Sequence, residues 1–383
     1  MNRGGSHVAS APVGDRAENT MRVLVVGDTV PGLVLTRLLE RDGHTPTLVG
    51  RRGDDTLIDA VLAASAAATV DHLVDGSVAA TATPVTEIQV NCDCGATAYC
   101  AGADPTSLLL DYRWLRRSLR RAIDPKNRRT ARIHQLQPCE QGVEVAFAGG
   151  ERAIFDLVIG ADGPNSFVGF LRANSRERDG NVQEWTFRIP RPQDWPNGMV
   201  ESWDDDAVVT ASPVGDGLAV RLGVRGGADG KPMRSTVAAA ALSTLRGRLG
   251  DAVGNALPER ASYRRLPDPG VDPRWRAERI AFCGNAAAPV GRLSGLEPTL
   301  GVEDAVTLVD ELARSSSVQD ALDRYATERT DRLRTLRAAA NDAAASAVEY
   351  LPVQKPGSLG RLAKLRTVGF ASVLGGQDCF GDR

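Results

Sequence analysis

The first residues suited to chemistry form a glycine-containing turn, Gly27-Asp28-Thr29-Val30-Pro31-Gly32, between an apolar strand and an amphipathic helix. Glycine at both ends of such a turn allows a tight bend and close packing of helix on strand, and the free amides at the helix N-terminus attract phosphate. Thr29 occupies the central position, where a side chain adds bulk beside the phosphate. Two interpretations stay open: a structural βα turn, or a dinucleotide site made by Gly27, Thr29 and Gly32.

The end of the second strand bears on that choice, because the strand ends at Leu48-Val49 and is followed by Gly50 and two arginines. In dinucleotide-binding βαβ units an acidic residue about 20 residues after the turn binds the ribose hydroxyls. Gly50 has no side chain for that contact. Arg51 can stack on an adenine ring or bind a phosphate, and a surface arginine pair is the alternative explanation.

Three later segments also place polar residues or glycine where a parallel sheet would gather them. In two of the segments the glycine or polar residues come directly after an apolar strand. The third segment begins a predicted helix at 112–123. The segments are Asp156-Leu-Val-Ile-Gly160-Ala-Asp162-Gly163 with Ser166 and Val168, then Arg279-Ile-Ala-Phe-Cys-Gly284-Asn285 continuing through Gly295 to Gly301-Val302-Glu303-Asp304-Ala305, and Arg113 in Leu-Leu-Asp-Tyr-Arg-Trp-Leu.

In this order the segments resemble FAD-dependent monooxygenases of the para-hydroxybenzoate hydroxylase type. Asp162 and Gly163 match the family's Asp-Gly fingerprint, which lies by the flavin. Gly284-Asn285 is similar to the family's Gly-Asp element, and Gly295 is similar to the first glycine of its Gly-x-Gly element. Arg113 stands where the family carries an arginine near the flavin chain.

The resemblance implies an α/β fold: a Rossmann-like FAD-binding domain with a βαβ opening, an inserted antiparallel-sheet substrate domain, and C-terminal helices. The corresponding ranges are a disordered leader at 1–20, the first part of the FAD-binding domain at 21–180, the substrate domain at 181–268, the second part of the FAD-binding domain with the C-terminal helices at 269–350, and a tail at 351–383.

Hydrophobic periodicity predicts helices in the remaining parts of the chain. They cover 57–68, 112–123, 235–249, 300–314 and 319–347. On the helix at 112–123 we predict that four arginines form a solvated face, namely Arg116, Arg117, Arg120 and Arg121.

Five departures from the family pattern concern the flavin, namely Thr29, Gly50, Asn285, Ala288 and Glu297. Asn285 replaces an aspartate that binds ribityl hydroxyls, so it keeps one acceptor and loses the charge. Glu297 replaces the second glycine of Gly-x-Gly. A carboxylate there opposes the negative charge gained on flavin reduction and can block the ring. A shifted register, or a Glu297 that points outward, removes that conflict.

The function implied by the resemblance is an FAD-dependent monooxygenase that uses NAD(P)H and acts on a small aromatic or polyketide-like substrate. Candidate pocket residues in the substrate domain are Trp185, Arg188, Trp203 and Arg221. The alternative is a redox-silent descendant with weak or lost FAD binding that acts as a cyclase, an isomerase or a binding protein. A non-catalytic interaction protein has only the long C-terminal helix in its favour.

Composition points to a small-molecule partner. The 383 residues carry a net charge of -2 and are 42% hydrophobic, which gives no reason to expect nucleic acid or an anionic membrane as partner. The sequence has no uninterrupted apolar run of about 18 residues, so no membrane span is predicted. The six cysteines lack the spacing of a zinc site, so we expect free thiols in a reducing cytoplasm and no metal. The oligomeric state is not predicted.

Overall fold

A computed structural model describes residues 20–50, 58–91, 97–102, 107–173, 179–203, 207–225, 235–254, 261–267, 273–288 and 297–348 of the chain. Two of the predicted site residues, Arg51 and Gly295, lie outside the described residues, as do the predicted tail and residues 1–19 of the predicted leader.

The described chain alternates helices and strands in its first part and is richer in strands in its middle. The strands are β1 Arg22–Val26, β2 Thr45–Val49, β3 Asp59–Leu62, β4 Thr83–Pro84, β5 Glu87–Asn91, β6 Thr97–Gly102, β7 Leu108–Asp111, β8 Arg128–Arg129, β9 Ile133–Cys139, β10 Gly142–Phe147, β11 Arg152–Phe155, β12 Leu157–Gly160, β13 Asp179–Pro190, β14 Gly198–Trp203, β15 Ala207–Val214, β16 Gly217–Arg225, β17 Ser262–Pro267, β18 Arg276–Ala277 and β19 Ile280–Phe282. The helices are α1 Val30–Arg41, α2 Ala64–Leu73, α3 Tyr112–Ala122, α4 Phe167–Ala173, α5 Ser235–Ser243, α6 Gly247–Val253, α7 Glu297–Arg314 and α8 Val318–Val348.

The central sheet has the strand order β18-β19-β12-β1-β2-β8, and β19, β12, β1 and β2 run parallel. Its inner strands are apolar and buried on both faces, as parallel strands between helices require. The register pairs Val26 with Gly160 and Gly160 with Phe282, so three strands end side by side. The turns that follow β1, β12 and β19 therefore meet at one edge of the sheet. This confirms the predicted βαβ opening.

The second large sheet has the order β17-β13-β16-β15-β14-β5-β6. It is antiparallel except where β14 pairs in parallel with β5. Its strands β5 and β6 come from the range that we assigned to the first part of the FAD-binding domain, so the sheet draws on both sides of the predicted boundary at 181. One face is apolar: Trp185 and Leu222 pack in a core with Leu242 of α5 and Leu249 of α6.

The opposite face of this sheet is polar and buried. One row across four strands is formed by Thr186, Arg221, Thr210 and Glu201, and each of these residues is at most 3% exposed. The Arg221 guanidinium donates through Nε and Nη2 to Oδ1 of Asp59 on β3, at 2.8 and 2.5 Å. Because β3 belongs to a separate small sheet with β7 and β4, this ion pair joins two sheets.

Local propensity misplaced two of the predicted helices. The helix predicted at 57–68 is wrong in its first half, because residues 59–62 form β3, antiparallel to β7, and α2 begins only at Ala64. Pairing with a buried strand outweighs alanine's preference for helix here. The helix predicted at 235–249 is two helices, broken where Gly247 takes a φ of 62°. The strand β14 at 198–203 was not predicted.

The C-terminal helices were predicted with small errors at their ends, since α7 covers 297–314 and α8 covers 318–348. Tyr325 of α8 donates a hydrogen bond to the carbonyl of Phe282 at 2.8 Å, which ties the helix to the last strand of the central sheet. In the part of the chain that the structure describes, neither these helices nor the others combine the length and apolar character needed to cross a membrane.

The buried ion pair gives a stability prediction. Arg221→Met leaves the Asp59 carboxylate buried without its guanidinium, so we expect it to lower the free energy of unfolding by about 3–5 kcal/mol. The double variant Asp59→Asn with Arg221→Met should be less destabilised than Arg221→Met alone. Urea titration followed by circular dichroism measures both. The control is Arg152→Met, which breaks the more exposed pair with Glu144 and should change stability by under about 1 kcal/mol. Equal losses for the single and double variants would contradict the interpretation.

Candidate functional site

The turns that follow β1, β12 and β19 line one cleft, together with the start of α7. The empty volume of the cleft is about 610 Å³, including space that is open to solvent. Five of the residues predicted for a cofactor site lie in its wall, and Glu297 lies there with them. The five are Thr29, Asp162, Gly163, Gly284 and Asn285.

The two predicted glycines of the first turn, Gly27 and Gly32, serve the packing of that turn. Gly27 has a φ of 127°, and a Cβ on it would lie 2.3 Å from the carbonyl oxygen of Ala161. A Cβ on Gly32 would lie 2.1 Å from the carbonyl oxygen of Gly27. Side chains at either position would force the turn away from the end of β12. The glycines thus bring the N-terminus of α1 to the second motif.

Thr29 uses its side chain within the protein. Its hydroxyl donates to the carbonyl oxygen of Ala161 at 2.6 Å and accepts a hydrogen bond from the Gly32 amide at 3.4 Å, which makes Thr29 the N-cap of α1. The cap satisfies one of the free amides that would otherwise bind a phosphate. A phosphate at this helix therefore meets fewer free donors than in an all-glycine turn.

Within the first turn, the Asp28 side chain is buried and pairs with two arginines of α3. Asp28 is 6% exposed. Its Oδ2 accepts from Arg120 at 2.5 Å and from Arg116 at 3.4 Å. The predicted solvated arginine face is therefore wrong for Arg116 and Arg120, because a buried carboxylate faces them. The sequence signal was a lone aspartate inside an otherwise apolar strand and turn.

Asp162 holds the second turn rigid. Its Oδ1 accepts from the Ser166 hydroxyl at 2.6 Å, and its Oδ2 accepts from the Phe167 amide at 2.6 Å and from the Val168 amide at 3.3 Å. Burial raises the pKa of Asp162, and these hydrogen bonds act in the opposite direction. The carboxylate thus caps α4, while Gly163, at a φ of 85° with open space around its Cα, presents bare backbone to the cleft.

The third turn is fixed by a chain of charged residues. The Gly284 amide donates to Oδ2 of Asp304 at 2.7 Å, and Oδ1 of Asp304 accepts from Nε of Arg329 at 2.5 Å. Burial raises the pKa of Asp304, and Arg329 opposes that change. Arg329 and Arg332 also share the carboxylate of Glu303. Helices α7 and α8 therefore clamp this turn and hold the partly buried Asn285 in the wall of the cleft.

Arg113 does not line the cleft. It lies in the first turn of α3 with an exposed side chain, next to Tyr112, which does line the cleft. The helix starts at this point because Oδ1 of Asp111 accepts from the amides of Arg113 and Trp114 at 2.7 and 3.0 Å. The predicted start of the helix at residue 112 is confirmed, and Tyr112, whose type gave no chemical signal, is the residue there that lines the cleft.

Glu297 is 8% exposed and lines the cleft, so the outward-pointing alternative is wrong. Its place at the start of α7 is fixed by Thr299, whose hydroxyl donates to Val61 and accepts from the Ala63 amide. Burial raises the pKa of Glu297 to about 7, while the positive charge of Arg221 acts in the opposite direction. Near neutral pH the carboxyl group can therefore be protonated and donate a hydrogen bond.

The substrate-domain candidates are distributed over both faces of their sheet. Trp185 packs on the apolar face, with its ring 5.1 Å from that of Tyr263. Arg188 is bound to Asp111 at 2.7 Å, and Arg221 faces the buried polar side. The Trp203 side chain lies outside the described residues.

The donor set fits a dinucleotide-type flavin along most of its length. The amides of α1 that the cap leaves free, the open backbone at Gly163 and the Asn285 amide suit a pyrophosphate and a polyol chain. At the ring end, a neutral Glu297 avoids the repulsion that a carboxylate would impose on an anionic ring.

The raised pKa of Glu297 predicts how stability depends on pH. Between about pH 4.5 and pH 7 the folded protein keeps the Glu297 proton and the unfolded chain releases it, so the wild-type unfolding free energy falls as pH rises through this window. Glu297→Gln removes that loss. We expect the stability of the variant relative to wild type to rise by about 3 kcal/mol from pH 4.5 to pH 8. Urea titrations at both values measure it, with Glu328→Gln, exposed on α8, as the matched control. A difference that is independent of pH would contradict the assignment.

Comparisons with known proteins identify the fold. No family model matches the chain, and no curated protein sequence is significantly similar to it. Among solved structures, Klebsiella pneumoniae HpxO complexed with FAD and uric acid is similar with a TM-score of 0.71 and 16% identity, over 94% of this chain and 90% of that one. PqsL, a probable FAD-dependent monooxygenase from Pseudomonas aeruginosa, has a TM-score of 0.71 and 20% identity, over 91% and 99%. The 2,6-dihydroxypyridine-3-hydroxylase of Arthrobacter nicotinovorans has a TM-score of 0.71 and 17% identity, over 89% of this chain and 96% of that one. The chain has the fold of these FAD-dependent monooxygenases, as its motifs predicted.

Proposed function

We propose that this chain is an FAD-dependent monooxygenase that uses NAD(P)H as reductant and acts on a small aromatic or polyketide-like molecule. The observation that carries the proposal is the convergence of three separated sequence motifs on one cleft, where the turns after β1, β12 and β19 lie side by side. Proteins of the same fold include one complexed with FAD and uric acid and one complexed with 2-aminobenzoylacetate.

The residues of the cleft have separate roles along the cofactor. The N-terminus of α1 binds the pyrophosphate through the amides that the Thr29 cap leaves free, and Asn285 binds the polyol chain. Gly163 lets the backbone approach closely, and Glu297 lies at the ring end. Bound FAD supplies the transfer of one oxygen atom from O2 to the substrate. The protein binds, orients and excludes water.

The buried polar face of the seven-stranded sheet is the surface that we assign to the substrate. On β15 the hydroxyls of Thr210 and Ser212 are buried and form no hydrogen bond with the described residues. Buried hydroxyls without partners favour a ligand that supplies donors and acceptors. They lie beside Arg221, whose charge also acts on Glu297, so this face and the cleft are electrostatically connected.

The redox-silent alternative is not favoured. It rested on five departures, and in the structure Thr29 is accommodated by the turn while Glu297 can be neutral. Ala288 is buried at 5% in the central core, which gives it a packing role. A cytoplasmic location stays a prediction.

The proposal is tested by the visible spectrum of the purified full chain, with and without excess FAD. After mixing with excess FAD and removal of the unbound FAD, we expect the protein to keep flavin absorbance. Asn285→Asp should tighten FAD binding about tenfold by restoring a charge-assisted hydrogen bond. Flavin fluorescence titration gives the Kd. Asn197→Asp, an exposed site on the substrate domain, is the matched control and should leave the Kd unchanged. A colourless protein that does not bind added FAD overturns the proposal.

Turnover is measured separately, as NADH and NADPH oxidation stimulated by candidate aromatic compounds. With a bound substrate, the product should carry one oxygen atom from labelled O2. If the protein binds FAD but neither NADH nor NADPH reduces the bound flavin, the proposed FAD site stands and the proposed reductant is refuted.

A further inference from the structure

One oxygen of the buried Asp28 carboxylate has no donor among the described residues. Asp28 is 6% exposed, and its Oδ2 takes both arginine contacts, from Arg120 at 2.5 Å and from Arg116 at 3.4 Å. Its Oδ1 is buried and forms no hydrogen bond with the described chain. A buried carboxylate oxygen without a donor destabilises the protein unless a further group binds it.

The position of this carboxylate is specific. A Cβ built on Gly50 would lie 3.6 Å from both Cβ and Oδ2 of Asp28, and 3.7 Å from Nη1 of Arg120. These are ordinary contact distances, so Asp28 stands directly beside the space that a side chain at residue 50 would enter. In nucleotide-binding βαβ units an acidic side chain in that space binds the ribose hydroxyls.

The two arginines differ in how firmly they hold Asp28. The side chain of Arg120 is 41% exposed and that of Arg116 is 20% exposed. Arg120 is therefore the more solvent-exposed partner of the carboxylate. Arg116 is the more buried of the two partners and lies farther from Oδ2.

We propose that Asp28 supplies, from the glycine turn, the carboxylate that binds the ribose hydroxyls of an adenosine nucleotide, in place of the absent side chain at Gly50. Arg120 covers the carboxylate in the free protein and moves aside when the nucleotide binds. The ligand is an adenosine diphosphate group with free ribose hydroxyls. Identifying that group with the adenosine half of FAD rests on the proposed function.

The two arginines raise a different possibility, since an arginine near the ribose accommodates a 2′-phosphate. The geometry favours hydroxyls, because Oδ1 of Asp28 lacks a donor among the described residues, whereas both guanidinium groups contact Oδ2 of Asp28. The two cases are separated by the ligand's 2′ substituent.

The test is calorimetric titration of the full chain with ADP, 2′-deoxy-ADP and 2′-phospho-ADP. Wild type should bind ADP about tenfold more tightly than 2′-deoxy-ADP, the value of one charge-assisted hydrogen bond. Asp28→Asn should lose that preference, and Asp28→Asn with Gly50→Asp should recover most of it. The matched control is Asp310→Asn on the exposed part of α7, which should behave as wild type.

Several outcomes overturn the proposal: an unchanged preference in Asp28→Asn, no preference in wild type, or tighter binding of 2′-phospho-ADP than of ADP. If Asp28→Asn does not fold, Arg120→Gln decides, because removing the cover should keep or strengthen the ADP preference, and its loss refutes the idea. Failure to bind FAD while ADP shows the preference refutes the proposed function alone. FAD binding without the ADP preference refutes this inference alone.

Discussion

The close approach of the first glycine turn to the end of β12 is the constraint on which the site depends. A Cβ on Gly27 would come within 2.3 Å of the Ala161 carbonyl, and Thr29 uses its hydroxyl to bind the same oxygen. Two motifs more than a hundred residues apart are thereby fixed against each other by close backbone approach and one side-chain hydrogen bond. Because this packing explains the glycines, the support for a phosphate site comes from the other residues of the cleft.

The other wall of the cleft is positioned by hydrogen bonds and ion pairs from α7 and α8. The Gly284 amide is held by Asp304, which is held by Arg329, and Thr299 pins the start of α7 between Val61 and Ala63. Most of these contacts are buried, where hydrogen bonds and ion pairs are strong and an unpaired group is destabilising. Asn285 and Glu297 therefore project from rigid supports. Their side chains are therefore part of the wall of the cleft.

The sequence predicted the fold because the motifs recur in a fixed order and glycine, aspartate and apolar strands carry local signals. The sequence-based predictions were wrong where contacts between residues far apart in the chain determine the local structure. The helix predicted at 57–68 lost its first half because β3 pairs with β7, and the arginine face of α3 was misjudged because Asp28 lies 88 residues before Arg116. For the same reason, the pattern around Arg221 gave no sign of its partner Asp59, 162 residues away. Periodicity shows which residues share a face, but not what that face meets.

The departures from the family pattern concern the placement of carboxylates. The acidic residue of the family pattern is absent at Gly50 and at Asn285, and another carboxyl group lies close to each of them: Asp28 beside Gly50, and Glu297 with Asn285 in the wall of the cleft. Asp28 lies beside the vacated position at residue 50 and is neutralised by arginines, whereas Glu297 has its pKa raised to about 7 by burial. The charge of Asp28 is thus balanced by arginines, and Glu297 is only partly ionised at neutral pH. A site that had merely decayed would not be expected to balance each of these carboxyl groups in this way, and this balance favours a cleft that still binds a charged, hydroxyl-bearing ligand.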